Sequence, residues 1–194
     1  MKLYLTIIFG CVLIISSIIT LATEMNFLLV FAFTALAVVL VIVVDALTAT
    51  VARLLPKGYA DERKKVYQVG KREKLFYEKL KIRKWKDKVP EIGHFTGFRK
   101  NKIADPKSVE YLDRFLLEAC YGEMGHFFSL FTGFLIMLLF PITDVWFAIT
   151  IPVCIVNICL NLPSLFILRY NSYKLRILRN NLLKKQKQAE AFVA

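Results

Sequence analysis

The chain is 194 residues long, 57% of them hydrophobic, with a mean hydropathy of +0.52 and a formal net charge of +12. A single soluble domain rarely holds so much apolar material together with so many uncompensated cations, so the two properties must be segregated along the chain. The four cysteines, Cys11, Cys120, Cys154 and Cys159, fall in apolar stretches or the basic section and read as small apolar fillers, which argues against a disulfide framework.

Crossing about 30 Å of hydrocarbon takes roughly 20 apolar residues in a helix. Leu3 to Leu21 and Phe27 to Val44 meet that length without a charge, and Val145 to Leu168 meets it too. Phe127 to Phe140 is too short alone, but the preceding Leu116 to Gly125 extends it with Glu123 as the one charge. The expectation is an all-α polytopic membrane protein, one membrane domain over 1–194, with four transmembrane helices at about 3–21, 27–44, 116–140 and 145–168. A signal peptide is the rival reading of the first segment, because Leu21-Ala22-Thr23 has the small residues of a cleavage site; Gly10-Cys11 is only a faint lipobox.

Charge sets the expected orientation. Lys2 precedes the first span, 19 Lys and Arg lie between Arg53 and Arg114, and 7 lie from Arg169 onward, while 22–26 and 141–144 hold none. The positive-inside rule then places the section 45–115, the tail 169–194 and both termini in the cytosol of a multi-pass cell-membrane protein.

Within the basic section, Leu54-Leu55-Pro56-Lys57-Gly58 closes the second span, and 61–88 reads as a charged helix with Val66, Val69, Phe76 and Leu80 at spacings of three to four. Such an amphipathic interfacial helix would lie on anionic lipid head groups with Tyr67, Phe76, Tyr77 and Trp85 at the interface. Its cations equally suit an anionic substrate such as the phosphates of coenzyme A, or serve topology alone. No nucleic-acid reader motif is present. Pro90 to Gly97, with His94, reads as a tight loop, and Asp105-Pro106 as the N-cap and first turn of a helix running to Phe140.

On that last helix Glu123 falls within about 20° of Leu112, flanked by Leu116 and His126, so acid and imidazole lie on the apolar stripe; Glu110, Arg114 and Glu118 form a solvated ladder. Ionisable groups at the edge of the hydrocarbon are costly and face an interior or a polar cavity. In the final span Asn157, Asn161, Ser164 and Asn171 share a face, Pro163 bends the helix beside them, and Asn161 and Arg169 reach the same depth. The bland reading is helix association by hydrogen bonds in lipid. The chemical one is general-base catalysis, with His126 as base, Glu123 as its partner, and Asn161, Arg169 and Asn171 as oxyanion donors. No metal-ligand, serine-nucleophile or nucleotide-loop motif occurs, so no metal or bound cofactor is expected.

At these residues the chain resembles the small membrane acyltransferases of the glycosyl-diaponeurosporenoate acyltransferase (CrtO-like) family. The likeness is carried by Ile82 to Pro90 around Trp85 and Lys86, by Glu118 through Glu123 to His126, and by Asn161-Leu162-Pro163 with Arg169-Tyr170-Asn171. These lie in the family's order over the C-terminal two thirds of the chain. Tyr121 stands where the family has arginine, Phe127 where it has tryptophan, Leu168 where it has glutamine, and Ser172-Tyr173 where it has Arg-Pro. The resemblance implies fatty acyl transfer, with acyl-CoA as co-substrate, to a hydroxyl of a membrane glycolipid. It assigns catalysis to His126 and Glu123, and substrate binding to Trp85, Lys86, Glu118, Asn161, Arg169, Tyr170 and Asn171. The alternatives are a non-catalytic membrane adaptor that docks anionic lipid or partner proteins through its basic section and, more remotely, a small transporter subunit. The sequence sets no oligomeric state.

Overall fold

The computed structural model describes residues 2–89, 105–139 and 143–193, and among these every regular element is helical. The expected Pro90 to Gly97 loop lies outside the described residues. The chain divides into two compact units, Met1–Leu54 with Gly125–Leu162, and Leu55–Met124 with Pro163–Ala194.

In the first unit, α1 (Lys2–Thr23) and α2 (Phe27–Leu54) carry uncharged, largely apolar runs over 3–21 and 27–44, as lipid-facing helices do. Asn26 caps α2, its Oδ1 accepting the N–H groups of Leu28 at 2.9 Å and Leu29 at 3.3 Å. Their core joins Ile15, Ile19, Val30, Ala37 and Val41 to Ile136, Trp146, Ile149 and Val153. Buried hydroxyls turn inward to their own helices: Ser16 donates to the Val12 carbonyl, Thr34 to Val30 and Thr150 to Trp146, at 2.7 to 2.9 Å. Meanwhile Leu21, Leu28 and Leu138 are more than two-thirds exposed. Apolar side chains outside and satisfied hydroxyls inside are what a bilayer demands.

Three helices are long and apolar enough to cross a membrane: Leu5–Thr23, Phe27–Leu54 and Asp144–Phe192. The second runs ten residues past the expected end at Val44, through Asp45, because nothing before Pro56 breaks the helix. The expected span 116–140 is not among the three. It is split between the end of α5 (Val109–Thr132) and a 3₁₀-helix, Gly133–Leu138, and its polar side chains dilute its hydropathy. The last helix, α6 (Asp144–Val193), is capped by the Thr143 hydroxyl, which accepts the Trp146 N–H at 3.1 Å. It continues as one helix through the expected tail, 169–193, whose Lys, Arg, Leu and Gln are strong helix formers.

In the second unit, the continuous helix expected over 61–88 is broken. A 3₁₀ turn, Lys65–Tyr67, is followed by α3 (Lys71–Lys79), α4 (Ile82–Trp85) and a second 3₁₀ turn, Lys86–Lys88. Gly70 ends the extended stretch before α3, and Lys81 at φ 53° turns the chain between α3 and α4. The aromatics expected at a lipid interface are divided: Tyr67 and Tyr77 are buried, Phe76 is exposed. Val69, Tyr77, Ile82, Ile167 and Tyr170 form one core cluster, and Leu112, Phe115, Leu116 and Leu175 another. The N-cap of α5 is Ser108, not Asp105: its hydroxyl accepts the Tyr111 N–H at 3.1 Å, while Asp105 closes a turn onto the Lys107 N–H.

Candidate active site

The helical geometry that puts Asn157 and Asn161 on one face of α6 also brings them, in the first unit, to Asp45 of α2 and to His126 and Ser129 of α5. Asn161 Nδ2 donates to Asp45 Oδ2 at 2.9 Å, to the Asn157 carbonyl at 3.2 Å and to Asn157 Oδ1 at 3.0 Å. Asn157 Nδ2 donates to Asp45 Oδ1 at 3.3 Å and to the Ser129 carbonyl at 3.1 Å. Asn161 Oδ1 lies 2.8 Å from His126 Nδ1. An amide oxygen only accepts, so Nδ1 is the donor and carries a proton. The asparagines are nearly buried at 7% and 8%, and the His126 ring is half-buried. Such a chain of hydrogen bonds in an apolar surround fixes orientation strongly.

Gly133 makes room for this cluster. A Cβ there would stand 2.9 Å from Asn157 Nδ2, and the Gly133 carbonyl accepts from Cys154 Sγ at 3.4 Å. The switch from α-helix to 3₁₀ at this glycine therefore falls where α6 approaches closely.

The second unit holds a different polar cluster. Glu123, 2% exposed, accepts from Arg169 Nη1 at 3.0 Å and from the Ser172 hydroxyl at 2.9 Å. Arg169 is forked onto Glu73, through Nε to Oε1 and through Nη2 to Oε2 at 3.0 Å, and also donates to the Val66 carbonyl at 2.9 Å. Tyr77 donates to Glu73 Oε1 at 2.6 Å. Burial pushes the Glu73 carboxyl up, but the hydrogen bonds from Arg169 and Tyr77 and the Arg169 charge outweigh it and hold the group below its ordinary value. The Tyr77 phenol is pushed up, first by burial and then by the Glu73 carboxylate, so it stays a donor. About two and about three turns further along α6, Arg176 pairs with Glu62 at 3.0 Å and donates to the Tyr67 carbonyl at 2.6 Å, and Arg179 pairs with Asp113 and Glu62.

The expected site residues thus take separate partners. His126 and Asn161 come together as expected, but Asn161 stands behind the imidazole as acceptor, with its N–H groups committed to Asp45 and Asn157. Glu123 is held by Arg169 and Ser172. Trp85 donates its indole N–H to the Leu80 carbonyl at 2.9 Å and packs on the cluster that buries Tyr170, and Lys174 lies 4.3 Å above the Tyr170 ring. Lys86 lies 3.8 Å from Asp87, and Glu118 and Asn171 are half-buried. Asp45, Glu73 and Ser172 are the additions. An acid inside a long apolar run was the signal for Asp45, and ending the span at Val44 hid it. Among the described residues no group of three or more His, Cys, Asp and Glu could hold a metal ion.

An all-helical membrane protein with buried polar clusters in each unit is the class that this fold and these side chains define. Residues 61–181 match the family described as Glycosyl-4,4'-diaponeurosporenoate acyltransferase (CrtO), and the chain belongs to that family. Comparison with curated proteins and with solved structures gives no match. The matched stretch holds His126, Glu123, Asn161 and Arg169; Asp45 precedes it.

Proposed function

We propose that the protein transfers a fatty acyl group from a thioester donor, acyl-CoA, to a hydroxyl of a glycosylated carotenoid or a related glycolipid at the cytosolic face of the cell membrane. His126 Nε2 removes the proton of the acceptor hydroxyl as its oxygen bonds to the thioester carbonyl carbon. The carbon–sulfur bond then breaks, and the thiolate leaves with the proton returned by the imidazolium. Arg169, Glu123 and Glu73 hold α6, α5 and α3 of the second unit together, so that the family's acidic and Arg-Tyr-Asn motifs serve the scaffold more than the reacting atoms.

The observation that carries the reading is the His126–Asn161 bond within a member of an acyltransferase family, because it supplies a base in a fixed tautomer inside an otherwise apolar unit. Both termini and the basic section are assigned to the cytosol by their cations. There α3 turns Lys71, Arg72, Leu75, Phe76 and Lys79 outward, a cationic and apolar face fitted to anionic lipid head groups. The test is transfer of labelled acyl groups by purified protein in lipid nanodiscs, offered glycosylated carotenoid and bulk glycolipid. His126→Gln should lower transfer by about 100-fold or more. Undiminished transfer would remove His126 as base, and no transfer by the parent protein to any glycolipid would favour the adaptor reading.

A further inference from the structure

The imidazole of a general base can carry its one proton on either nitrogen, and only the acceptor behind it decides which. Here that acceptor is an amide, which can itself turn over and present N–H in place of oxygen. What stops the turn is on the far side of Asn161. Its Nδ2 meets three oxygens, those of the Asp45 carboxylate, the Asn157 backbone and the Asn157 side chain, at 2.9, 3.2 and 3.0 Å. A flipped amide would set its oxygen against all three and leave a buried N–H group pointing at the ring.

Of these oxygens only the carboxylate is charged, and it engages both asparagines, one on each oxygen: Asn161 on Oδ2 and Asn157 on Oδ1. We infer that Asp45 is a positioning residue which, through Asn161, holds the proton of His126 on Nδ1 and so keeps Nε2 as the base. The chain of three runs Asp45, Asn161, His126, with the amide passing the direction of the hydrogen bond from the acid to the ring. Asp45 does not touch the reacting atoms. It lies outside the stretch that matches the family, on a helix whose other neighbouring residues are apolar or hydroxyl-bearing.

The inference rests on the reading of His126 as base only for its effect on activity; the tautomer can be read without any substrate. The chain has two histidines, so His94→Gln leaves one imidazole, and nitrogen-15 NMR of histidine-labelled protein in nanodiscs reports which of its nitrogens is protonated. The expected result is the Nδ1–H form in the otherwise unaltered protein and in Asp45→Asn, whose amide oxygen can still accept from Asn161. Asp45→Leu, which cannot accept, should shift the ring towards Nε2–H or a mixture, and lower acyl transfer about 100-fold or more, as other wrong-tautomer bases do. An Nε2–H ring in the parent protein overturns the inference, as does an unchanged ring in a folded Asp45→Leu protein. If Asp45→Leu does not fold, Asp45→Ala, which likewise cannot accept, takes its place, and an unchanged ring there overturns the inference as well. A shifted tautomer with His126→Gln fully active would leave the inference standing and remove the catalytic role instead.

Discussion

Arg169 Nη1 lies 3.0 Å from Glu123 Oε2, and the two side chains are 18% and 3% exposed. A carboxyl this deeply enclosed depends on its hydrogen-bond partners, and the same guanidinium also pairs with Glu73. Arg169→Ala takes the shared partner from both acids at once. It should lower stability by about 3–5 kcal/mol, the cost of leaving a buried partner uncompensated. Arg169→Lys should fall between, because an ammonium keeps the charge and loses the fork. Thermal unfolding in detergent checks both.

His126→Gln should reduce acyl transfer by about 100- to 10,000-fold, the usual contribution of a positioned base. Its melting temperature should change little, because a glutamine amide can still donate to Asn161. A large drop in melting temperature with transfer retained would make the residue structural.

Gly133→Ala sets a methyl group 2.9 Å from Asn157 Nδ2, an atom already committed to Asp45 and Ser129. Overpacking of this kind costs about 1–3 kcal/mol. Because the displaced amide belongs to the His126 cluster, transfer should fall further than the stability loss explains. Comparing kcat with the melting temperature across Gly133→Ala and Leu138→Ala, an exposed control, separates the two effects.

The Glu73 carboxyl is held below its ordinary value in the folded protein, despite the opposing effect of burial. A group with a depressed folded value contributes stability that is fully present above its unfolded value and is lost as pH falls through the folded one. Melting temperature should therefore decline as pH is lowered from about 5 through the carboxylate range. Glu73→Gln should start lower and show a shallower decline. Equal slopes in the two proteins would remove Glu73 from the acid response.

Much of this was legible in the chain. The apolar runs fix three membrane-length helices, and helical periodicity places Asn157 and Asn161 on one face, where they are found. Periodicity also puts Glu123 on the apolar stripe, and it is buried. Its partner was not legible. Glu123 and His126, three apart on α5, both meet α6 but take different partners there, Arg169 with Ser172 and Asn161, and sequence separation says nothing of which acid or cation arrives from elsewhere. Asp45 reaches Asn161 across 116 positions and Glu73 reaches Arg169 across 96. The broken helix over 61–88 escaped for a local reason: its many Lys, Arg and Glu residues favour helix, and the left-handed turn at Lys81 has no glycine to announce it.

The arginines at 169, 176 and 179 come last. Glu62, Glu73, Asp113 and Glu123 all leave the ribosome before the cations that neutralise them. A nascent chain stalled before position 169 would carry four acids with no mates, and its segment 55–89 would have little to close upon. Assembly of the second unit thus waits on synthesis of α6, and a premature stop between positions 144 and 169 should leave that segment open to proteases while earlier helices are already inserted.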